Sequence, residues 1–455
     1  MRNMFLYSLM AACMFTPVFS SVSASAAILH VQEVTSPKGI HAWLVEDHSV
    51  PVVSLRFLFK GAGAVNDPAD KQGVSQILSN TLDEGAGDLT SKEFQAALED
   101  HSIALGFSSS RDDFGGSVKT LTKYQDTAYR LLALALSKPR LEADPVARMI
   151  ESNLVRIRSN MTDPEWMNAR LTNAVVFKDH PYALNTGGTL SSLPKITPND
   201  LRAKFATQLA RDNVIVAVAG DMTKAQVETM LDQVFGSLPA TATVQKVPDM
   251  NLDGGGLINL YQQDIPQTVV NMVAQGIRHD DPDYLAAEVM DFVLGSSGFG
   301  SRLTEEVREK RGLTYGIYSG LNDMQSAHLL TIGAATRNET AQQVLDLTKQ
   351  VMAGMAAAPI APKELQDAKT YLVGSVPLEL TSTDKISSIL IGLMRDHLPP
   401  DYLDRRAEKL NQVTAEDVLR VSKRLLKPEN MKIILVGNPK IGNTVTRVST
   451  LPNVE

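Results

Sequence analysis

The chain repeats one plan. Residues 41–46 and 51–60, rich in Val, Leu and Phe, read as strands, and helical patterns follow at about 68–84, 90–101, 122–138, 143–161 and 163–178, with strand-like stretches near 103–120. This unit closes on VIVAVAGDM, residues 214–222, a buried-strand run stopped by Gly220-Asp221, and a helix over about 223–235 comes after it. The same order then returns. Residues 267–276 (QTVVNMVAQG) read as a strand, helices follow near 281–294 and 300–311, and strands near 314–321 and 325–336. Long helical patterns run to about 425, and the copy closes on MKIILVGNP, residues 431–439. Val50-Pro51 and Ile265-Pro266 are offset by 215 residues, Val214 and Ile433 by 219. Offsets that nearly agree across whole units predict a duplication. Strand pairs mixed with helices in each copy predict an α+β fold of two homologous domains.

Between the copies lies PATATVQKVPDMNLDGGG, residues 239–256, whose prolines and consecutive glycines mark a hinge-capable linker. It separates an N-terminal domain, 27–238, from a C-terminal domain, 257–455. Residues 1–26 read as a secretory signal peptide: Arg2, an apolar run interrupted by Pro17, and an A-x-A site at Ala24-Ser25-Ala26. The apolar run passes Cys13 into that site, which favours cleavage there over lipid attachment at Cys13. The mature chain is therefore expected to be exported, and periplasmic if the source is a Gram-negative bacterium. No later segment is apolar enough to span a membrane. The 44 basic and 51 acidic residues, a net charge of -7 with no basic block, argue against a nucleic-acid partner.

Cys13 is the only cysteine, so a mature chain would lack disulfides, thiolate metal sites and a cysteine nucleophile. No two of the eight histidines are three or four residues apart, so no helix presents a chelating pair. There is no G-x-S-x-G elbow, P-loop or dinucleotide fingerprint, and GSSGFGS at 295–301 lacks the Lys-Ser/Thr of a phosphate loop, reading instead as a loop that opens a helix from Ser301.

In KQGVSQILSNTLDEG, residues 71–85, Val74, Ile77, Leu78 and Leu82 make an apolar helix face while Gln76, Ser79 and Asn80 lie on another. The stretch opens with DPADKQGV at 67–74, and further on come His180-Pro181-Tyr182, Gly187-Gly188-Thr189 and the strand end AGDM. With these landmarks residues 41–220 resemble the N-terminal half of the pitrilysin/insulinase family of zinc metallopeptidases, whose motif is H-x-x-E-H. The resemblance puts Gln76 and Asn80 at the two histidine positions, Ser79 at the glutamate base and, by spacing, Arg158 at the third ligand, seven residues after Glu151. Amides and a hydroxyl are poor zinc ligands and an arginine repels the ion, so no metal is expected in this chain. Phe107 and Ser108, in IALGFSSSRDD at 103–113, depart from the Asn-Ala pair of the family's substrate-binding edge strand.

The second half differs. GSSGFGSRLTEEVREKRGLTYGIYSG, residues 295–320, reads on its own as a helix with early acids (Glu305, Glu306), late bases (Arg308, Lys310, Arg311) and Gly312 at its end. It also resembles the family's second-half signature, in which an Arg and a Tyr seven residues apart reach the active site; here these are Arg308 and Tyr315. The resemblance, spanning about 41–440, implies two duplicated domains like those of mitochondrial processing peptidase, each a mainly antiparallel sheet packed with helices. It further implies a subunit inactive alone, which pairs with a homologous zinc-bearing subunit and lends Arg308 and Tyr315 to bind the carbonyl of a peptide substrate and stabilise its oxyanion. The alternative is a non-catalytic scaffold or peptide-binding homologue.

Overall fold

The computed structural model describes residues 28–252, 254–442, 444–452, 454 and 455; the expected leader at 1–26, with Cys13, lies outside them. Two six-stranded sheets carry the fold. In the first, the strands run in the order Val31–Thr35, His41–Glu46, Val214–Gly220, Val52–Phe59, Phe114–Leu121 and Ala104–Ser109. In the second the order, read from the opposite edge, is Val445–Val448, Ile258–Gln262, Lys432–Gly437, Gln267–Gln275, His328–Arg337 and Thr314–Asp323. Five of the six positions correspond in chain order and direction. His41–Glu46 and Ile258–Gln262 each lie parallel to the closing strand of their half, Val445–Val448 lies parallel to Ile258–Gln262, and the remaining neighbours are antiparallel. The duplication is therefore a property of the backbone.

The closing strands end alike. Gly220 (φ +124°) and Gly437 (φ +147°) lie 217 residues apart in backbone conformations that L side chains rarely adopt. A Cβ at Gly220 would strike the Val52 carbonyl oxygen, and one at Gly437 would come within 2.7 Å of Thr268 Oγ1. The matched pair is thus offset by two residues from the Val214/Ile433 comparison.

Each sheet buries one face on its own helices and the other on a helix of the opposite half. Helix Pro164–Phe177, from the first half, lies across Lys432–Gly437 and Gln267–Gln275, where Met167, Leu171 and Phe177 pack with Val273, Ile434 and Val436. Helix Thr383–Arg395, from the second half, lies across Val214–Gly220 and Val52–Phe59, where Ile386, Leu390 and Ile391 meet Trp43, Ala217 and Ala219. Double coverage explains why Val214–Gly220 is buried at every position and reads as an unbroken apolar run. Polar contacts fix both crossings. Asn168 Nδ2 donates to the Ile434 carbonyl oxygen at 3.2 Å, Ser54 and Thr383 share a hydrogen bond of 2.8 Å, and Arg56 pairs with Asp384 at 2.9 Å.

The exchange ties the two halves to each other on both sides of the segment 239–256. That segment is also strapped to both sheets' surroundings: Gln245 N donates to Asn66 Oδ1 (2.9 Å), Met250 N to the Ser326 carbonyl (2.7 Å) and Leu252 N to Gln275 Oε1 (2.7 Å). Among the described residues five strands went unread: Val31–Thr35, Ile258–Gln262 and Val445–Val448, at or beside one edge of a six-stranded sheet, and the short pair Gly85–Ala86 and Leu89–Thr90. Among the described residues no helix is long and apolar enough to cross a membrane.

Candidate functional site

The helix expected over 68–84 is confined to Val74–Ser79. Its start is set by Asp67, whose carboxylate accepts from Gly73 N (3.1 Å), Ser75 N (3.1 Å) and Ser75 Oγ (2.6 Å). Lys204 pairs with Asp67 at 3.2 Å, both side chains being almost wholly buried. Burial pushes the Lys204 ammonium below its ordinary range, and the Asp67 charge opposes that shift. The apolar face Val74, Ile77, Leu78 and Leu82 is buried in the first core, as its spacing predicts.

The polar face satisfies itself. Gln76 Nε2 donates to Asn80 Oδ1 at 2.7 Å, and Ser79 Oγ donates to the Gln76 carbonyl oxygen at 2.8 Å. Arg158 is not part of this group. It points into solvent from helix Ala143–Asn160 and meets Glu151 at 3.3 Å, both side chains exposed. Two residues earlier on the same helix, Arg156 lines a cavity together with Gln76 and Asn160. A two-residue step turns a helix by about 200°, so Arg156 shares the cavity with Gln76 while Arg158 faces away from it. Amide, hydroxyl and guanidinium do not fit zinc: two are weak neutral donors and the third is a cation. Among the described residues no group of three or more His, Cys, Asp or Glu side chains is placed to hold a metal ion.

The cavity, about 330 Å³, is bounded by the motif helix, helices Ala143–Asn160 and Pro164–Phe177, and the turn at 185–187. Arg111, Arg156 and Arg170 all reach it. Arg170 is buried, stacks on Trp166 with 4.6 Å from guanidinium carbon to ring centroid, and donates to the Gly188 carbonyl oxygen at 3.2 Å. Burial first, and the charge of Arg156 second, pull the Arg170 guanidinium down to about 10.

Other family landmarks proved structural. His180 Nδ1 accepts from Tyr182 N at 3.1 Å, so Nε2 carries the proton that bonds the Pro248 carbonyl at 2.8 Å and ties down the linker. Tyr182, fully buried, donates its hydroxyl to Asp112 (2.5 Å) and accepts from Ser326 N (3.0 Å), joining the two halves. Phe107 turns inward from the edge strand, its ring 6.1 Å from that of Phe57. GSSGFGS is a helix-opening loop, with Ser301 Oγ donating to the Gly298 carbonyl oxygen at 2.8 Å.

The second half builds an exposed cluster. The segment carrying Arg308 is wound as a π-helix, Thr304–Glu309, a form frequent at functional sites. A two-pronged ion pair from Arg302 to Glu364 (2.7 and 2.8 Å) anchors it. The charge order read as a helix-dipole pattern resolves into local pairs: Lys310 with Glu305 (3.0 Å) and Glu306 (2.6 Å), and Arg311 with Glu306 (2.7 Å). Arg308 stands apart. Its guanidinium carbon lies 4.6 Å from the Phe299 ring centroid and 5.3 Å from that of Tyr315, with Glu309 at 3.5 Å. Tyr315 sits in a bulge of the edge strand Thr314–Asp323, where pairing slips between Thr314 and Ile317. Thr314 Oγ1 pins the bulge, bonding the Ala335 carbonyl at 2.7 Å and accepting from Gly316 N at 3.1 Å. Tyr315 is 90% exposed and Phe299 74% exposed. The family resemblance singles out Arg308 and Tyr315, and the structure places Phe299, from the glycine-rich loop, beside them.

Residues 195–372 match the family described as the peptidase M16 inactive domain. The chain is similar to the non-peptidase homolog YmxG of Helicobacter pylori, 25% identical over 424 residues, covering 93% of this chain and 97% of that one. It is similar in structure to the crystal structure of the peptidase M16 inactive domain from Pseudomonas fluorescens, with a TM-score of 0.85 and 30% identity over 91% of this chain and 100% of that one. A protease from Helicobacter pylori shares the fold at 18% identity, with a TM-score of 0.82 and coverage of 90% and 99%.

Proposed function

Since this chain belongs to the peptidase M16 family, the pitrilysin/insulinase metallopeptidases, as a zinc-less member, we propose that it is the non-zinc subunit of a heterodimeric peptidase. The carrying observation is the Arg308–Tyr315 pair, a cation beside a phenol that the bulge at 314–317 aims out of the chain. A tyrosine so exposed contributes little to its own fold. A guanidinium and a phenol both donate hydrogen bonds, which suits them to a peptide carbonyl and to the oxyanion that develops when it is attacked. The homologous partner carries zinc and the general base, and this chain supplies those two donors. In this reading the chain is exported through the leader at 1–26 and, if the source is a Gram-negative bacterium, meets its partner in the periplasm.

The test is hydrolysis of a peptide library by three samples: this chain, an H-x-x-E-H homologue from the same organism, and the two mixed. The split site requires chelator-sensitive cleavage in the mixture well above the sum of the separate samples. A homologue fully active by itself overturns it.

A second reading, a non-catalytic peptide-binding homologue, is favoured by one observation: the Helicobacter pylori relative is named a non-peptidase homolog. In that reading the chain binds peptides or its homologue without changing any rate.

A further inference from the structure

The position that would hold a cation in a zinc-bearing relative is here surrounded by arginines. Arg111, Arg156 and Arg170 converge on one cavity with the amides of Gln76 and Asn160, and none of the side chains lining it is acidic. Arg111 Nη2 donates to Asn173 Oδ1 at 2.7 Å and Nη1 to Met324 Sδ at 3.6 Å, with Asp112 as its charged neighbour; Arg156 reaches Asn153 Oδ1, and Arg170 donates to the Gly188 carbonyl. Arg111 Nε is buried without a hydrogen-bond partner, while its guanidinium lies over the rings of Phe177 (4.7 Å) and Tyr182 (5.2 Å). Positive charge collected in a partly enclosed space costs free energy unless an anion shares it. The depressed pKa values of Arg111 and Arg170, both caused first by burial, report that cost.

We propose that this cavity binds a carboxylate borne on a peptide, either an acidic side chain or a C-terminus. The planar guanidinium fork matches a carboxylate with two parallel hydrogen bonds. Trp166, Ile157 and Ala169 give one stretch of the wall an apolar character, among amides and the Thr186 hydroxyl, and that stretch suits a hydrocarbon stem beside the charge. A free inorganic anion would leave that wall against water. At about 330 Å³ the space is at the lower end of the range for ligand pockets, ~300–1,000 Å³. The substitution pattern is coherent in charge: a place that takes a dication when built from imidazoles and carboxylates takes an anion when built from amides and guanidiniums. This inference does not need the partner subunit.

Three acetylated pentapeptides test it by titration calorimetry on this chain alone, at fixed ionic strength. The first has a central glutamate and an amidated end, the second a central glutamine and an amidated end, and the third a central glutamine and a free C-terminal carboxylate. At least one charged peptide should bind ten or more times tighter than the neutral one, and whichever binds identifies the source of the carboxylate. Arg156, on an exposed stretch of helix, can be changed without disturbing the core. Arg156→Gln should weaken that binding at least tenfold while leaving the thermal midpoint of the unliganded protein within about 1 °C. Equal binding of all three peptides, tighter binding of inorganic phosphate than of any peptide, or an unchanged affinity in Arg156→Gln overturns the proposal. Each of these outcomes leaves the role of Arg308 and Tyr315 untouched, because no hydrolysis is measured.

Discussion

The guanidinium carbon of Arg308 lies 5.3 Å from the ring centroid of Tyr315, one residue on a π-helical turn and the other on a pinned strand bulge. Neither group is held by a strong partner in its own chain, and the phenol is open to solvent. Tyr315→Phe removes one hydroxyl and keeps the ring that Arg308 stacks upon. Paired with the zinc-bearing homologue, this variant should lose at least tenfold in kcat/KM, within reach of the ~10²–10³ typical for one oxyanion donor. Its thermal midpoint and its affinity for the homologue should match the wild type. Equal activity would remove Tyr315 from the reaction.

The cavity identifies Arg156, and not Arg158, as the residue that bars a metal from the motif helix. Restoring Gln76→His, Ser79→Glu and Asn80→His together should therefore leave zinc affinity poor, since a cation still faces the site. Adding Arg156→Glu supplies a third ligand, a carboxylate beside the two imidazoles, and should tighten zinc by several orders of magnitude, measured by chelator competition. Arg158→Glu in its place should not. If the Arg158 version binds better, the helix face has been assigned to the wrong residue.

Much of this was legible in the sequence because period and punctuation survive duplication. The strands His41–Glu46, Gln267–Gln275 and Thr314–Asp323 and the helices Ser91–Asp100 and Ala143–Asn160 fall within a few residues of their expected spans. What escaped depends on distant contacts. Arg156 and Arg158 are equivalent by spacing, and only the direction of the helix against Gln76 separates them. Helix Thr383–Arg395 looks like an ordinary amphipathic helix and Pro164–Phe177 shows no single apolar face, and nothing local announces that each serves the opposite half. Val31–Thr35 and Val445–Val448 are edge strands, half exposed, with little apolar content to betray them.

The exchange of those two helices predicts one unfolding event. Leu390 is fully buried between helix Thr383–Arg395 and the first sheet. Leu390→Ala should cost about 2–5 kcal/mol by losing its contacts and leaving a cavity. Because the helix belongs to the second half and its seat to the first, the whole calorimetric endotherm should shift down as one peak. Two peaks, with only one displaced, would mean that the halves unfold independently.

Asp113 gives the fold a pH dependence with a defined sign. Its carboxyl accepts from Gly61 N (3.2 Å) and Gln325 Nε2 (3.3 Å), with Asp112 beside it and Lys60 and Arg395 opposing. Burial dominates and raises it from 3.8 to about 6. The folded state therefore holds this proton more tightly than the unfolded chain. Its contribution is fully present below the ordinary carboxylate range and is lost as pH rises through about 6, an effect of at most about 3 kcal/mol. Asp113→Asn keeps an acceptor oxygen and cannot ionise. Urea denaturation of both proteins from pH 4.5 to 7.5 should show the stability of the wild type relative to Asp113→Asn falling by about 2 kcal/mol across that window. A difference that stays level would mean that Asp113 titrates in its ordinary range, with the Gly61 and Gln325 donors and the nearby cations offsetting its burial.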